Sequence, residues 1–216
     1  MSRNKYPEET RQLIIDVSTK LFMENGYEKT SLQDIINHLG GLTKGAIYHH
    51  FKSKEEILYA VVTHICNGNI PIMVAIRDDK SLTGKERLEK MFAVSLQNPK
   101  QKDVFAVTPN LLDNPTFLSY YIKMVVSDTV PYYIVPVIKA GVADGSIKTE
   151  YPEELSDLIM FLSDVWLNPL IFQMSTEQLV KKAKLLNQLL HPFGIQVLSE
   201  DLIMRLAQFQ TFTEIK

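Results

Sequence analysis

The sequence predicts an all-α protein. Helix start and stop signals recur along the whole chain, and no stretch shows the sustained apolar–polar alternation, bounded by hairpin turns, that marks β-strands. The most strand-like run, residues 132–137, follows Pro131 and contains Pro136, and proline is poorly tolerated inside a sheet. A chain of 216 residues is also long enough to bury a substantial core.

The first two predicted helices are marked by a glycine and a capping box. Apolar residues recur at helical spacing through residues 13–22, and Gly26 is placed to end that helix as a left-handed cap. Residues 30–33, Thr-Ser-Leu-Gln, resemble a capping box in which the Thr30 hydroxyl and the Gln33 amide satisfy free backbone donors. We therefore expect the second helix to begin there.

Two further short segments complete a compact N-terminal unit. Gly40 and Gly41 break the second helix, and Thr43 can cap a third one. Residues 53–56, Ser-Lys-Glu-Glu, form a second capping box that opens a fourth helix. The side chains of Ala46, Ile47 and Phe51 are assigned to the core of this unit.

The rest of the chain is also punctuated as helices. Capping boxes, Pro at the first helical position and a Ser cap each predict a helix start. These signals are residues 83–86, Asn114-Pro115, Tyr151-Pro152, residues 175–178 and Ser199.

Prolines inside helical stretches predict breaks or bends, because each removes a backbone hydrogen bond and clashes with the preceding turn. They fall at residues 67–71, at Pro131 and Pro136, and at Asn168-Pro169. Two interpretations remain open. The prolines either shape a packed bundle or open a cavity and provide hinges.

Composition excludes several classes of protein. The net charge is -2, and 45% of residues are hydrophobic against 22% charged, which is typical of a globular chain. Cys66 is the only cysteine, so neither an intrachain disulfide nor a cysteine zinc site is possible. The N-terminus lacks the apolar stretch of a signal peptide, and residues 158–172 are too short and too interrupted to span a bilayer. We therefore expect a cytoplasmic protein without a membrane partner.

The balanced charge of the N-terminal residues conceals a local basic face. Residues 1–60 carry eight cations and eight acids, yet residues 43–54 hold three lysines, His49 and His50 without any acid. Residues 30–51 have the layout of a helix-turn-helix, whose second helix enters the DNA major groove in such motifs. A basic face is what phosphate binding requires. The alternative interpretation of the charge pattern alone is a solvated face on a small helix pair.

The motif resembles a known DNA-binding signature. Residues 30–35, Thr-Ser-Leu-Gln-Asp-Ile, and residues 42–57, Leu-Thr-Lys-Gly-Ala-Ile-Tyr-His-His-Phe-Lys-Ser-Lys-Glu-Glu-Ile, are similar to the tetracycline-repressor (TetR) family. The resemblance covers roughly residues 11–61. It implies a helix-turn-helix domain of three helices over residues 1–60 and a helical bundle over residues 61–216 that dimerises and binds a ligand. Gly40-Gly41 places one more residue in the turn than the family pattern has.

The resemblance also implies the roles of individual residues. It places Thr43, Lys44 and Gly45 at the start of the recognition helix, Tyr48 and His49 against a phosphate or a base, and Lys54 on phosphate. His50 faces either DNA or the core. Arg3 and Lys5 form either a minor-groove arm or a disordered tail. The expected DNA-binding set is Thr30, Ser31, Thr43, Lys44, Gly45, Tyr48, His49 and Lys54.

Other functional classes find little support. Adjacent helical residues such as His49 and His50 point in different directions and cannot chelate one metal as an i, i+4 pair would. The sequence has no Gly-rich phosphate loop, no His-Glu-x-x-His and no Cys/His nucleophile set. We therefore expect no enzyme, no metal and no cofactor. A regulator of the same fold without a small-molecule inducer, controlled by a partner or constitutive, remains an alternative.

The expected partners of this protein are a palindromic duplex DNA operator at the N-terminal domain, and a second copy of the chain and a small moderately apolar effector at the C-terminal region. Two apolar faces, Leu155/Leu158/Ile159/Leu162 and Leu202/Ile203/Leu206/Phe209, are predicted to pair two subunits; alternatively, they close the monomer's own core. Large, partly polar side chains near helix breaks suit a ligand pocket. The expected effector-binding set is Phe105, Tyr120, Tyr121, Met124, Phe161, Asp164, Trp166 and Asn168.

Overall fold

A computed structural model describes residues 7–66, 69–97 and 101–213 of the chain. Helices account for all regular structure in those ranges, and no strand occurs among them, as the sequence predicts. The N-terminal unit contains α1 (Pro7–Asn25), α2 (Leu32–His38), α3 (Lys44–His50) and α4 (Lys54–Cys66).

The larger unit is a bundle of longer segments. Its helices are α5 (Ile70–Asp78), α6 (Gly84–Gln97), α7 (Gln101–Val107), α8 (Pro115–Met124), the π-helix π1 (Val125–Ile134), α9 (Val135–Ala143), α10 (Pro152–Met160), the π-helix π2 (Phe161–Trp166), α11 (Thr176–Leu190), a 3₁₀ turn (His191–Phe193) and α12 (Glu200–Thr213). The N-terminal unit rests on this bundle where α1 and α4 pack against α7, and α4 also packs against α8.

The core of the N-terminal unit follows the predicted apolar pattern. Ile14, Phe22, Ile35, Ile47 and Ile57 are fully buried, so all four helices contribute to one cluster. Burial of a large aliphatic side chain stabilises the fold by about 1.5–3 kcal/mol. Since α2 and α3 have only seven residues each, this shared core, rather than helix propensity, holds them.

The start of α2 corrects the predicted capping box by one residue. Ser31, not Thr30, is the N-cap: its hydroxyl accepts a hydrogen bond from the Asp34 backbone N–H, and the Asp34 carboxylate accepts one from the Ser31 backbone N–H. Thr30 and Gln33 do not form the box, because the Thr30 hydroxyl turns inward and donates to the Gly26 carbonyl at 2.8 Å. Two overlapping boxes were available, and the buried Thr30 leaves Ser31 to cap.

The other predicted helix starts are confirmed. Thr83 and Glu86 exchange hydrogen bonds at the start of α6, and Ser175 and Gln178 form a complete capping box before α11. Helices α8 and α10 begin at Pro115 and Pro152 as expected, although neither preceding residue makes a side-chain cap. The Ser53 hydroxyl accepts from the Glu56 N–H at 3.2 Å.

The internal prolines act through altered helix winding. Pro131 lies inside the ten-residue π1, whose wider i→i+5 pattern replaces the α-helical bonds that proline would break. Pro136 falls in the first turn of α9. Near Asn168 the helix ends with π2, and α4 and α5 are separate helices. Asn67, the first residue of the predicted break after α4, lies outside the described residues.

A close glycine contact locks α6 against α9. A Cβ on Gly84 would lie 2.1 Å from the Gly141 backbone nitrogen, so only glycine allows this crossing. The Gly84 N–H donates to the Asp144 carboxylate at 2.7 Å, and the Lys85 N–H donates to the Ser146 hydroxyl at 3.2 Å. The start of α6 is therefore fixed to the turn after α9 by both packing and hydrogen bonds.

The two predicted dimerisation faces are largely internal. Leu155, Ile159, Leu202, Ile203 and Leu206 are all buried within the monomer. Leu162 is partly buried and packs against the same core, Leu158 is exposed, and the side chain of Phe209 lies outside the described residues. These faces mainly close the monomer's own core, which was the alternative interpretation. For the buried residues the prediction was wrong, because an apolar helix face does not reveal which neighbour covers it; for Leu158 it stays a prediction.

Within the described ranges, no single helix combines the length and apolar character of a membrane span; the bent pair Lys54–Ile65 and Ile70–Asp78 passes that test only when both helices are taken together.

Candidate nucleic-acid interface and effector site

The turn between α2 and α3 depends on two glycines. Gly40 and Gly41 have φ angles of +61° and +101°, a region that residues with a Cβ rarely adopt. Nothing lies within 4 Å of a Cβ built at either position, so backbone conformation rather than crowding requires glycine here. The extra residue of the turn is accommodated by this pair of positive φ angles.

Helix α3 separates a buried face from an exposed one. The Thr43 hydroxyl accepts from the Ala46 N–H at the helix start. Ile47 and the C-cap residue Phe51 are buried, as assigned from the sequence, whereas Ala46 is only partly buried. Lys44 is exposed, and its Nζ lies 5.8 Å from the centroid of the exposed Tyr48 ring. This cation–π contact directs both side chains to the same outer face.

The two histidines of α3 lie in different environments. His49 is exposed, whereas His50 is partly buried and its Nε2 is buried without a hydrogen-bond partner. Burial, followed by the neighbouring His49, lowers the pKa of the His50 imidazole. The rings are 5.1 Å apart and approach edge to face. His49 is thus the exposed histidine of α3, and the partly buried His50 belongs to the packing of the domain.

Thr30 and Ser31 have separate roles at the start of α2. The Thr30 side chain is 1% exposed and its hydroxyl bonds to a carbonyl, so it does not reach a DNA-facing surface. Its expected phosphate contact does not fit this geometry. Ser31 is exposed, and its hydrogen bonds to Asp34 keep the pKa of that carboxyl below its usual range.

Lys54 is engaged within the N-terminal unit. Its Nζ donates to the carbonyl oxygens of Tyr27 and Thr30 at 3.0 and 3.1 Å and lies 4.0 Å from the Tyr27 ring centroid. An ammonium group has three N–H donors, so two of them tie α4 to the turn between α1 and α2. Its assignment to phosphate stays a prediction that relies on the third.

Sequence reasoning missed two residues that support α3. The Arg11 guanidinium carbon lies 5.3 Å from the centroid of the Phe51 ring. Glu56 accepts from the Lys52 backbone N–H at 2.6 Å, directly after α3. The sequence places Glu56 in the second capping box, where its carboxylate would accept from the Ser53 N–H. In the structure the donor is the Lys52 N–H instead. Nothing in the sequence pointed to Arg11.

Three of the expected effector residues are linked between α8 and the end of π2. The Tyr121 hydroxyl donates to the Asp164 backbone carbonyl at 3.2 Å. The Asn168 amide donates to that carbonyl at 3.0 Å and to the Tyr121 hydroxyl at 3.4 Å. Burial raises the pKa of the Asp164 carboxyl to about 7. The hydrogen bonds of the cluster use the Asp164 backbone carbonyl, so the side-chain carboxyl is a separate group that changes charge near neutral pH.

Trp166 belongs to a neighbouring cation cluster. The Lys182 Nζ donates to the Trp166 carbonyl at 3.0 Å and lies 5.0 and 4.6 Å from the Trp166 and Phe172 rings. Burial lowers the pKa of Lys182. Sequence reasoning missed this lysine, because a cation on an amphipathic helix gives no indication of which carbonyl it reaches.

The remaining expected effector residues differ in burial and surroundings. Phe105 is buried in the core, Met124 is partly buried and Phe161 is 58% exposed. Tyr120 faces the N-terminal unit. Surface depressions of about 520 Å³ on α8–π1 and about 340 Å³ beside the start of α11 are lined by other residues. Neither depression is lined by Tyr121, Asp164 or Asn168, and the interpretation that the prolines open a cavity and provide hinges stays a prediction.

Metal binding has no visible basis in these ranges: no three His, Cys, Asp or Glu side chains of the described residues come together in a way that could hold an ion.

Comparison with known sequences identifies the N-terminal unit. The family model described as "Bacterial regulatory proteins, tetR family" matches residues 14–61. The uncharacterized HTH-type transcriptional regulator YerO of Bacillus subtilis is 27% identical over 170 residues, 76% of this chain and 57% of that protein. The HTH-type transcriptional regulator AcrR of Shigella flexneri is 43% identical over 63 residues, 29% of this chain and 28% of that protein. The chain thus covers less than two thirds of the length of either relative.

Solved structures match nearly the whole chain at low identity. A TetR-family regulator from Syntrophomonas wolfei has a TM-score of 0.56 at 18% identity and covers 97% of this chain and 96% of its own. A transcriptional regulator from Cytophaga hutchinsonii has a TM-score of 0.55 at 17% identity, with 94% and 96% covered. These likenesses establish the two-part helical fold.

Proposed function

Because the chain belongs, through its N-terminal domain, to the TetR family of bacterial regulatory proteins, we propose that it is a repressor that binds a palindromic DNA operator as a homodimer. One observation carries the DNA-binding part. Helix α3 presents Lys44, Tyr48 and His49 on an outer face while Ile47 and Phe51 anchor it to the core. The acid-free sequence of residues 43–54 gives that face the charge that phosphates attract.

Selection from genomic DNA tests this proposal. The intact protein is mixed with sheared genomic fragments at about 0.15 M salt, and retained fragments are sequenced. We expect enrichment of an inverted repeat whose half-sites lie about 34–36 Å apart, one turn of the duplex. Retention without any enriched motif would show non-specific binding only and would contradict a sequence-specific regulator.

Dimerisation is proposed through side chains that the monomer leaves exposed. Leu158 and Phe161, at i and i+3, and Leu185 and Leu189, at i and i+4, are each 44–58% exposed. Each pair therefore lies on one face of its helix, α10–π2 or α11. Membership of the family favours pairing of late helices across a twofold axis, which would place two copies of α3 for a palindrome.

Release from DNA is proposed to follow binding of a moderately apolar compound at the cluster of Tyr121, Asp164 and Asn168. The cluster joins α8 to π2 through hydrogen bonds that a ligand can replace. Linkage requires reciprocity: a ligand that weakens DNA binding 100-fold must bind the DNA complex 100-fold more weakly, a coupling of about 2.7 kcal/mol.

Two measurements distinguish this proposal from a regulator without an inducer. Equilibrium dialysis against a metabolite extract identifies a retained compound, and its affinity is then measured with and without the selected operator. A lower affinity for the complex supports an inducer. Equal affinities, or no retained compound, would favour the alternative regulator that is controlled by a partner or not at all.

A further inference from the structure

Two side-chain hydrogen bonds connect the N-terminal unit to the bundle. The Tyr120 hydroxyl, on α8, donates to Glu56 Oε1, on α4, at 3.4 Å. The Tyr120 and Tyr59 rings lie 5.4 Å apart with 33° between their planes. Asn114, just before α8, donates to Glu28 Oε1, between α1 and α2, at 3.2 Å. Two carboxylates of the N-terminal unit thus accept hydrogen bonds from residues on α8 or directly before it.

The second oxygen of Glu56 connects this link to the recognition helix. Glu56 Oε2 accepts from the Lys52 N–H at 2.6 Å, and Lys52 follows the C-cap residue of α3 directly. A carboxylate that accepts from a backbone N–H makes a charge-assisted bond, which is stronger than a neutral one. A single side chain therefore fixes where the chain leaves α3 and also contacts the bundle.

The other end of the link leads to the proposed effector cluster. Tyr121 is the neighbour of Tyr120 on α8, and its hydroxyl donates to the Asp164 carbonyl at the end of π2. Consecutive helical residues point about 100° apart, so one turn of α8 contacts Glu56 on one side and π2 on the other. A shift of α8 must alter both contacts together.

We propose that Glu56 is a positioning residue for the recognition helix, and that its bond to Tyr120 sets the orientation of α3 relative to the bundle. The proposal rests on the proposed DNA-binding function. It adds the route by which α8, displaced at the effector cluster, changes the angle of α3. At 3.4 Å the Tyr120 bond is long, and the contact between the tilted Tyr120 and Tyr59 rings helps it to hold this orientation.

Removing the Tyr120 hydroxyl tests the link. Tyr120→Phe keeps the ring against Tyr59, and a lost hydrogen bond to a charged group lowers operator affinity about 3- to 10-fold on the genomically selected duplex. Glu56→Gln should cause an equal or larger loss, because it also weakens the charge-assisted bond to the Lys52 N–H. Adding Tyr120→Phe to Glu56→Gln should cause less further loss than Tyr120→Phe causes alone, because the two variants share the bond between these side chains. Tyr132→Phe is the matched control, since it removes an exposed tyrosine hydroxyl of π1 that is not part of this link, and it should bind operator as the wild type does.

A second readout separates positioning from general stability. The wild type should lose affinity steeply when one base pair is inserted between the half-sites, because this rotates one half-site by about a tenth of a turn. Tyr120→Phe should flatten that dependence, since α3 is less constrained. A Tyr120→Phe protein with wild-type affinity and wild-type spacing dependence would overturn the proposal. Failure of the wild type to select any operator would instead contradict the proposed function.

Discussion

Two lysines at the proposed interface have different surroundings, and this decides what each contributes. Lys44 is exposed and its Nζ lies beside the exposed Tyr48 ring, so Lys44→Ala should leave folding unchanged. On DNA it should reduce discrimination at one base position by about 1–3 kcal/mol. Fluorescence anisotropy on operators with single base changes measures this. Unchanged base preference would remove Lys44 from base recognition.

Lys54 should show a stability effect as well as an electrostatic one. Lys54→Ala removes two hydrogen bonds to the carbonyls of Tyr27 and Thr30, so Tm should fall. If its third donor serves phosphate, affinity falls on every sequence and the log-salt slope drops by about 0.9. A lower Tm with an unchanged slope would show that Lys54 only supports the fold.

Asp164 gives a pH-dependent prediction. Burial raises the pKa of its carboxyl to about 7 in the folded state, so the folded protein binds the proton more tightly than the unfolded chain. Its contribution to stability is full below the unfolded pKa and is lost as the pH rises through 7. Asp164→Asn should therefore become more stable than the wild type between pH 5 and pH 8, by on the order of 2 kcal/mol at the upper end.

Thermal unfolding of both proteins across that range measures the difference. The comparison cancels the titration of all other groups. A constant difference in stability from pH 5 to pH 8 would show that the Asp164 carboxyl is ordinary and solvated, and it would weaken the assignment of this residue to an effector site.

At the scale of elements, Gly84 and Gly45 can be compared, because a methyl group would clash at the first and has space at the second. Gly84→Ala places a Cβ 2.1 Å from the backbone of α9, which cannot move aside locally, so we expect a loss of about 3 kcal/mol. Gly45→Ala, whose nearest neighbour would be the Thr43 Oγ1 at 3.8 Å, should keep or raise stability, since alanine favours a helix by about 1 kcal/mol.

The same pair separates folding from function. The added methyl group of Gly45→Ala should still weaken operator binding, because it faces the surface proposed to approach DNA. Chemical denaturation and anisotropy on both variants measure the two effects. Equal operator affinity in Gly45→Ala and the wild type would show that the backbone of α3 does not approach the duplex closely at this position.

Local signals explain which elements the sequence could predict. Capping boxes and Pro at the first turn act within four residues, so the starts of α6, α10 and α11 were predictable. The start of α2 was misassigned because Thr30–Gln33 and Ser31–Asp34 both fit the pattern, and only burial chooses between them. Pro131 predicted that the helix is disturbed there, but not that the disturbance takes the form of a ten-residue π-helix, because more than one change of winding relieves the clash of a proline.

At the scale of the whole molecule, the sequence does not predict which helices pack against each other. The outer face of α3 was predictable since a resemblance supplied it, whereas the dimerisation faces were not. Leu202 and Leu206 on one helix, and Leu185 and Leu189 on another, have the same spacing, yet the first pair is buried and the second exposed. Choosing between them requires knowing how α11 and α12 pack together.

Exposure of α11 leads to a prediction about assembly. The double variant Leu185→Glu, Leu189→Glu places two charges on the exposed face, which the monomer tolerates and a twofold interface does not. Light scattering should give a dimer mass for the wild type and a monomer mass for the variant. Leu112→Glu, also exposed but outside α10–π2 and α11, is the control and should remain a dimer. A dimeric double variant would place the interface elsewhere.

The central claim is that two copies of this chain read a palindrome through α3. Hydroxyl-radical footprinting on the genomically selected duplex tests it most directly, with the wild type and with Lys44→Ala. The account predicts two protected regions on one face of the duplex, centred about 34–36 Å apart, and weaker protection of both regions in the variant. A single protected region, or protection that Lys44→Ala leaves unchanged, would contradict it.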